Sequence, residues 1–211
     1  MIKTITFDFG GVLYDYDENV LINEFVDRSE KGPEELRELM NGSSLDRAHF
    51  RGEVKADELL DILEDRVGLK MTEEELARAY ADSVQPKEEV LDLVRELEGD
   101  YDLQLYSDTP KILYDKVMTG MPVFDSFSAV TLSFRVGRLK DEPDGHREVI
   151  EKSGHAPGEI IFIDDREEFV QQANKLGING IKFTEIDELI KDLNRLGVSP
   201  DGKFDLNFEE E

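Results

Sequence analysis

The chain has 211 residues, enough to bury one core domain with an insert, and no cysteine, which excludes disulfides, thiolate metal ligands and thiol nucleophiles. Its 50 acidic and 25 basic residues give a formal net charge of −25, which repels nucleic acids and anionic membranes and makes both unexpected as partners. Because no apolar run reaches about 18 residues and a strand begins almost at once, we expect no membrane span, no signal peptide and a cytoplasmic location, with the oligomeric state left open.

The first predicted element is a short buried strand that ends in an acidic residue. The segment from Ile5 to Leu13 reads ITFDFGGVL, so Asp8 follows a β-branched and aromatic run, and Gly10 and Gly11 come just after it. Glycines let the backbone turn tightly and approach a ligand closely. Since open α/β sheets bind ligands at the carboxyl ends of their strands, Asp8 is a candidate site residue. Taken alone, the segment is equally explained as an ordinary strand end followed by a turn.

The segment that follows predicts helices throughout and no strand. Gly68 ends a long helix, and Thr72 begins the next one with a capping box. We therefore predict an all-helical cap domain over residues 16–85. It is inserted into a core domain formed by residues 1–15 and 86–211.

Beyond the cap, strand and helix patterns alternate. The predicted strands cover residues 102–106, 129–132, 159–163 and 180–183. Such alternation implies parallel strands joined by right-handed crossovers. The predicted fold class is therefore α/β, a doubly wound, mostly parallel Rossmann-like sheet with an all-helical cap inserted after the first strand. The acidic ending Glu209–Glu211 is predicted to be a frayed tail.

Polar side chains follow several of these strands. Asp8, Ser107 and the pair Asp164–Asp165 lie at strand ends, and Lys140 lies in a loop after the third core strand. If the strands are parallel, all of them meet at one edge of the sheet. The carboxylates there would repel one another without a cation, and Mg²⁺ suits an oxygen-ligand site that also admits water and phosphate. The serine, the lysine and backbone amides would complement an anion.

The four segments resemble, in order and over nearly the whole chain, the four motifs of the haloacid dehalogenase-like (HAD-like) superfamily. The first motif reads DFGGVL from Asp8, and the fourth reads IFIDDREE with Asp164 and Asp165. Both are similar to the subgroup that contains sugar phosphatases and the N-terminal phosphatase domain of soluble epoxide hydrolases. The helical insert, with Arg51-Gly52-Glu53 between cap helices, resembles the cap of that subgroup.

The resemblance implies a magnesium-dependent phosphatase that acts on a small phosphorylated metabolite, such as a sugar phosphate. Asp8 would attack the phosphoryl group and form an aspartyl-phosphate. Mg²⁺ would be held by Asp8, the Gly10 carbonyl and the Asp164–Asp165 pair, with Lys140 as a further cation. Ser107 and the amide of Asp108 would bind the phosphate oxygens.

Several positions depart from the family pattern. Gly10 replaces the usual second aspartate, which acts as general acid and base. Asp141 stands where proline is common, and Asp108 and Phe169 stand where asparagine is frequent. Two alternatives therefore stay open. One is a 2-haloacid dehalogenase-type hydrolase, which needs no metal, and the other is a catalytically silent HAD-like binding or regulatory protein.

Further polar residues have two explanations each. In the cap, Arg47, His49 and Arg51 are candidate substrate contacts. The alternative for the two arginines is that they are solvated surface residues. Asp15 and Asp17 either supply the missing acid or serve as a hinge and a helix N-cap, the second being preferred. The remaining histidines are expected at the surface: His146 and His155.

Acidic residues occur in every predicted helix and are not confined to one tail. At molar salt the screening length falls to about 3 Å, so a surface of this kind suits a halophilic protein. An ordinary acidic protein is the alternative.

Overall fold

A computed structural model describes residues 1–142 and 144–199. Its strands, in chain order, are β1 (Thr4–Phe7), β2 (Tyr14–Tyr16), β3 (Val84–Pro86), β4 (Asp102–Ser107), β5 (Ala129–Leu132), β6 (Ile160–Asp164) and β7 (Asn179–Lys182). Its α-helices are α1 (Glu18–Val26), α2 (Pro33–Met40), α3 (Ser44–Phe50), α4 (Ala56–Val67), α5 (Glu73–Asp82), α6 (Glu88–Leu97), α7 (Lys111–Lys116), α8 (Ser133–Val136), α9 (Arg147–Ser153), α10 (Glu167–Lys175) and α11 (Ile186–Arg195).

The core is a five-stranded parallel sheet with the order β5-β4-β1-β6-β7. The neighbouring strands β1 and β6 are buried along their whole length, and Ile5, Phe7 and Ile163 have no exposed surface. Such strands are buried on both faces because crossover helices cover a parallel sheet from both sides. The predicted α/β fold class is confirmed.

The register of the central strands fixes where the site residues emerge. Phe7 is level with Ile163 of β6 and with Leu105 of β4. Asp8 and Asp164 therefore leave neighbouring strands at the same height, and the Asp8 amide donates to the Ile163 carbonyl at 2.9 Å.

A two-stranded antiparallel ribbon, β2 with β3, corrects the prediction that the segment after the first strand is helical throughout. Tyr16 is paired with Val84, and the Asp17 amide donates to the Ser83 carbonyl at 2.9 Å. Each strand has three residues, too short for an alternating pattern, and its partner lies far away in the sequence. Helices α1 to α5 lie between the two strands. We propose that the cap comprises residues 16–85, as predicted, because both connections between the cap and the core run through the ribbon.

Local signals explain the ends of the cap helices. Gly68 has a φ of +66° and ends α4 in the left-handed conformation that favours glycine. Thr72 accepts a hydrogen bond from the Glu75 amide at 3.2 Å while the Glu75 carboxylate accepts from the Thr72 amide at 2.9 Å, which is the predicted capping box.

In the described part of the chain, the helices are too short or too polar to traverse a lipid bilayer. The predicted frayed tail at Glu209–Glu211 lies outside the described residues.

Candidate active site

The predicted strand-end residues converge at the carboxyl edge of the sheet. A cavity of about 410 Å³ lies there, bounded by the sheet edge on one side and by cap helices on the other. Asp8, Ser107, Asp108, Lys140 and Asp165 line it. Parallel strands bring their carboxyl ends to one edge, and for this reason residues distant in sequence share the cavity.

Lys140 lies at the centre of the acidic groups. Its side chain is 1% exposed, and its Nζ lies 2.5 Å from Asp8 Oδ1 and 2.7 Å from Asp164 Oδ2. Burial lowers the pKa of Lys140, but the carboxylates of Asp164 and Asp8 outweigh it and leave the pKa above the ordinary value. Lys140 is therefore a fixed positive charge.

Asp8 is placed to act as a nucleophile. Its Oδ1 accepts from the Phe9 amide at 2.7 Å as well as from Lys140, which leaves Oδ2 for attack on a substrate. The pKa of Asp8 is raised to about 8, because the increase caused by burial, together with smaller increases from Asp164 and Asp165, exceeds the decrease caused by Lys140. A cation bound at the cluster would lower this pKa and favour the ionised form that attacks.

Asp8, Asp164 and Asp165 form a carboxylate cluster that fits a divalent cation. One oxygen from each lies within 4.8 Å of the others. An all-oxygen donor set of this kind suits a hard ion such as Mg²⁺. Gly11, with φ +82°, packs against Asp165, and a Cβ there would lie 2.4 Å from the Asp165 carboxylate. Gly11 thus permits the approach of Asp165 to the cluster, whereas the predicted ligand role of the Gly10 carbonyl remains a prediction.

The end of β4 and the loop that follows it present hydroxyl groups to the cavity. Ser107 Oγ lies 2.7 Å from Thr109 Oγ1, and both residues line the cavity. The carboxylate of Asp108 instead accepts from the Lys140 amide at 3.2 Å, so it holds the lysine loop in place. Thr109 was not among the predicted residues, although its position two residues after Ser107 in a polar strand end is a usable signal.

Two departures from the family pattern have structural partners. Asp141 accepts two hydrogen bonds from Arg47 of α3, at 2.7 and 2.9 Å, and thus joins the lysine loop to the cap. Phe169 is buried, with its ring centre 5.5 Å from Lys140 Nζ, and belongs to the apolar wall around that ammonium group.

The predicted substrate contacts in the cap are only partly brought to the cavity. Arg47 lines it while paired with Asp141. Arg51 does not, and its Nε donates to Glu142 at 2.8 Å. His49 is 2% exposed inside the cap, where its Nδ1 lies 2.9 Å from the Val54 carbonyl. A further cap–core contact runs through Ser133, whose hydroxyl donates to the Phe50 carbonyl at 2.6 Å and accepts from the Thr109 amide at 2.9 Å.

Asp15 and Asp17 lie outside the cavity lining, which includes Gly10. Asp17 accepts from the Asn19 amide at 2.9 Å and caps α1, and Asp15 in β2 forms an ion pair with Lys87. These are the hinge and N-cap roles preferred from the sequence.

The surface prediction for His146 is wrong. The side chain is 1% exposed and packs edge-on against the Phe162 ring at 4.7 Å, because the start of α9 lies against the sheet. His155 is half-buried, and its Nδ1 lies 2.8 Å from Thr4 Oγ1.

A group of residues on the cap side of the cavity was missed by the sequence reasoning. Its members are Tyr16, Glu18, Asp46 and Tyr80. Asp46 precedes Arg47, which was singled out, in the same helical turn. That adjacency is the one local signal for the group.

The sequence model of the haloacid dehalogenase-like hydrolase family matches residues 2–177 of this chain. The chain therefore belongs to this family, and the resemblance described above is confirmed.

Similar proteins of named activity or known structure agree with this assignment. A D-ribitol-5-phosphate phosphatase from Bacteroides thetaiotaomicron is 26% identical over 84% of this chain and 89% of its own length. A HAD-like hydrolase structure from Porphyromonas gingivalis has a TM-score of 0.81 and 27% identity, covering 93% of this chain and 98% of that one. A B. thetaiotaomicron HAD enzyme solved with magnesium and inorganic phosphate has a TM-score of 0.77 and 27% identity, covering 87% and 95%. Within the family, the chain groups with the phosphatases.

Proposed function

We propose that this protein is a magnesium-dependent phosphatase that hydrolyses a small phosphorylated metabolite through an aspartyl-phosphate. The observation that carries the proposal is the arrangement around Lys140. This buried ammonium group contacts Asp8 and Asp164 and faces the same cavity as Ser107. A nucleophilic carboxylate, fixed positive charge and hydroxyl groups are what in-line transfer of a phosphoryl group requires.

The chemistry assigns one role to each residue. Asp8 Oδ2 would form a bond to phosphorus while the bond from phosphorus to the leaving oxygen breaks, which gives an aspartyl-phosphate and an oxyanion leaving group that takes its proton from water. Water would then attack phosphorus and release inorganic phosphate, restoring the carboxylate. Lys140, Ser107 and the Asp108 amide would stabilise the non-bridging oxygens during both steps.

Asp8, Asp164, Asp165 and the Gly10 carbonyl would hold Mg²⁺. When bound, the ion supplies positive charge that the developing phosphoryl negative charge needs. The carboxylate cluster supports this assignment, as does the related enzyme solved with magnesium and phosphate.

A sugar or polyol phosphate is the class of substrate we favour on the relatives alone, since one of them is a ribitol-phosphate phosphatase. The cavity of about 410 Å³ has room for an organic group of that size beside the phosphate.

The test is phosphate release from a panel of phosphate esters with MgCl₂, with EDTA and after Mg²⁺ is restored. We expect turnover that EDTA abolishes and Mg²⁺ recovers. Chloride release from 2-chloropropionate that is insensitive to EDTA would instead identify a dehalogenase. Mg²⁺ binding by calorimetry without turnover of any ester would identify a silent binding protein.

A further inference from the structure

Two carboxylates at the cap end of the cavity have only half of their oxygens satisfied. Glu18 Oε2 accepts from Asn41 Nδ2 at 3.3 Å, and Asp46 Oδ2 accepts from the Gly42 amide at 2.9 Å. The other oxygens, Glu18 Oε1 and Asp46 Oδ1, are buried and have no hydrogen-bond partner within residues 1–142 and 144–199. A buried carboxylate oxygen without a donor is costly, so a protein that retains two of them beside a cavity indicates a donor on the ligand.

Tyr80 is an independent observation at the same place. Its side chain is 1% exposed and lines the cavity, and its hydroxyl has no partner in the described part of the chain. With Glu18 Oε1 and Asp46 Oδ1 it makes three unsatisfied oxygens from three different cap helices, α1, α3 and α5.

The charge at the cap end of the cavity favours some classes of ligand over others. Cations that line the cavity are engaged elsewhere: Lys140 with Asp8 and Asp164, Arg47 with Asp141, and Arg166 with Glu168. Glu18 and Asp46 form no ion pair among the described residues, so this end is negative near neutral pH. Burial raises the pKa of Asp46 to about 6, and the charge of Glu18 acts in the same direction.

A second phosphate or a carboxylate would be repelled there. A hydroxyl group would satisfy one oxygen but leave two like charges buried together. An ammonium group has three N–H donors, one for each unsatisfied oxygen, and a positive charge that relieves the repulsion.

We propose that Glu18, Asp46 and Tyr80 form a cap subsite that binds an ammonium group on the organic part of the substrate. This inference rests on the proposed phosphatase function and narrows it to phosphate esters that carry an amine, such as amino sugars phosphorylated at the anomeric carbon. It also departs from the uncharged polyol class that the relatives suggest.

The test compares three aryl phosphates that differ in the para substituent: aminomethyl, hydroxymethyl and carboxyl. We expect the aminomethyl ester to have a kcat/KM about tenfold above that of the hydroxymethyl ester, equivalent to one charge-assisted hydrogen bond, and the carboxyl ester to be the poorest. Because the substituents also change the leaving group, the decisive quantity is the aminomethyl to hydroxymethyl ratio in variants. This ratio should fall several-fold in Glu18→Gln and Asp46→Asn, towards the value that the two leaving groups set by themselves.

Asp61→Asn is the matched control, since it removes the same charge from an exposed cap position outside the cavity lining and should keep the wild-type ratio. An unchanged ratio in both Glu18→Gln and Asp46→Asn, or a wild-type preference for the hydroxymethyl ester, would overturn the subsite. Tyr80→Phe keeps the ring and removes only the hydroxyl, and it serves if the carboxylate variants do not fold. Glucosamine 1-phosphate against glucose 1-phosphate extends the comparison to a pair of anomeric sugar phosphates with and without the amine.

A binding measurement distinguishes failure of the subsite proposal from failure of the proposed phosphatase function. The non-hydrolysable aminomethyl and hydroxymethyl phenylphosphonates are titrated into the Mg²⁺-loaded protein by calorimetry. If no ester is hydrolysed but the aminomethyl phosphonate binds about tenfold tighter, the phosphatase proposal fails and the subsite stands. Equal affinities of the two phosphonates would reject the subsite whether or not the esters are hydrolysed.

Discussion

At the scale of a single residue, Asp8 combines two roles in the proposed mechanism, as nucleophile and as part of the carboxylate cluster. Asp8→Asn keeps the shape of the side chain but removes the attacking charge. We expect phosphate release to fall by at least about 10³-fold, because a neutral amide does not form the covalent intermediate. The fold should survive, since Lys140 keeps its contact with Asp164 at 2.7 Å.

The measurement pairs initial rates of phosphate release with a thermal melt of the same preparation. A variant that retains more than a few per cent of the wild-type rate would remove Asp8 from the mechanism.

Gly10 is the departure with the clearest chemical consequence. Without a carboxylate there, the leaving oxygen lacks a proton donor, so we expect aryl, acyl and anomeric phosphates to be better substrates than simple alkyl phosphates. Gly10 has no positive φ, and a Cβ there would lie 3.8 Å from Tyr16 Cβ. The backbone and the surrounding space therefore admit Gly10→Asp.

In Gly10→Asp, the kcat/KM for an alkyl phosphate should rise by about 10- to 100-fold more than that for an aryl phosphate, since general acid help matters most for a basic leaving group. Gly32→Asp adds the same charge at the open N-terminus of α2 and is the matched control. Equal efficiencies for both esters in the natural protein would mean that another group already donates the proton.

At the scale of elements, α3 is tied to the lysine loop by Arg47–Asp141 and Arg51–Glu142. Arg47→Ala and Asp141→Ala should each raise KM about two- to fivefold, because a looser cap binds substrate less well. The KM of the double variant should be little higher than that of either single variant, since both substitutions remove the same Arg47–Asp141 ion pair. The Lys31–Glu35 pair lies within the cap, so Lys31→Ala should leave KM unchanged. Additive effects of Arg47→Ala and Asp141→Ala would contradict a direct link between cap and loop.

The sheet and its edge could be predicted from the sequence because each core strand carries its signal locally. Asp8, Ser107 and Asp164 each follow an apolar run directly, and parallel pairing alone brings them together. The cap subsite could not be predicted in this way. Glu18, Asp46 and Tyr80 meet only because three helices pack against one another, and no local pattern encodes that packing.

Burial was harder to predict than element type. His146 reads as a polar residue near a helix start, but the start of α9 places it against the Phe162 ring of β6. The ribbon of β2 and β3 was missed for a related reason, since it is defined by pairing between distant segments and not by the pattern of either one.

At the scale of the whole molecule, the net charge of −25 opposes both the compact state and an anionic substrate. Screening by salt should therefore raise the melting temperature and lower KM as KCl increases to about 2 M. Part of the acidic excess is structural, because first turns such as Glu73–Glu75 complement a helix dipole. The control is the melting temperature in sucrose at matched osmolality, because sucrose stabilises proteins by exclusion from their surface and does not screen charge. A melting temperature that is flat or falls with KCl would reject the halophilic interpretation.

Ser133 connects the cap to the loop after β4 through one hydrogen atom. Its hydroxyl has two acceptors within reach, the Phe50 carbonyl of α3 at 2.6 Å and the Thr109 carbonyl at 3.2 Å. If α3 moves away, the hydroxyl rotates to Thr109 and stays satisfied, while Phe50 finds water. Separation at this point therefore exchanges one hydrogen bond for another and leaves no buried group unpaired. Opening of the cap at this point would therefore cost little in hydrogen bonding at Ser133 itself.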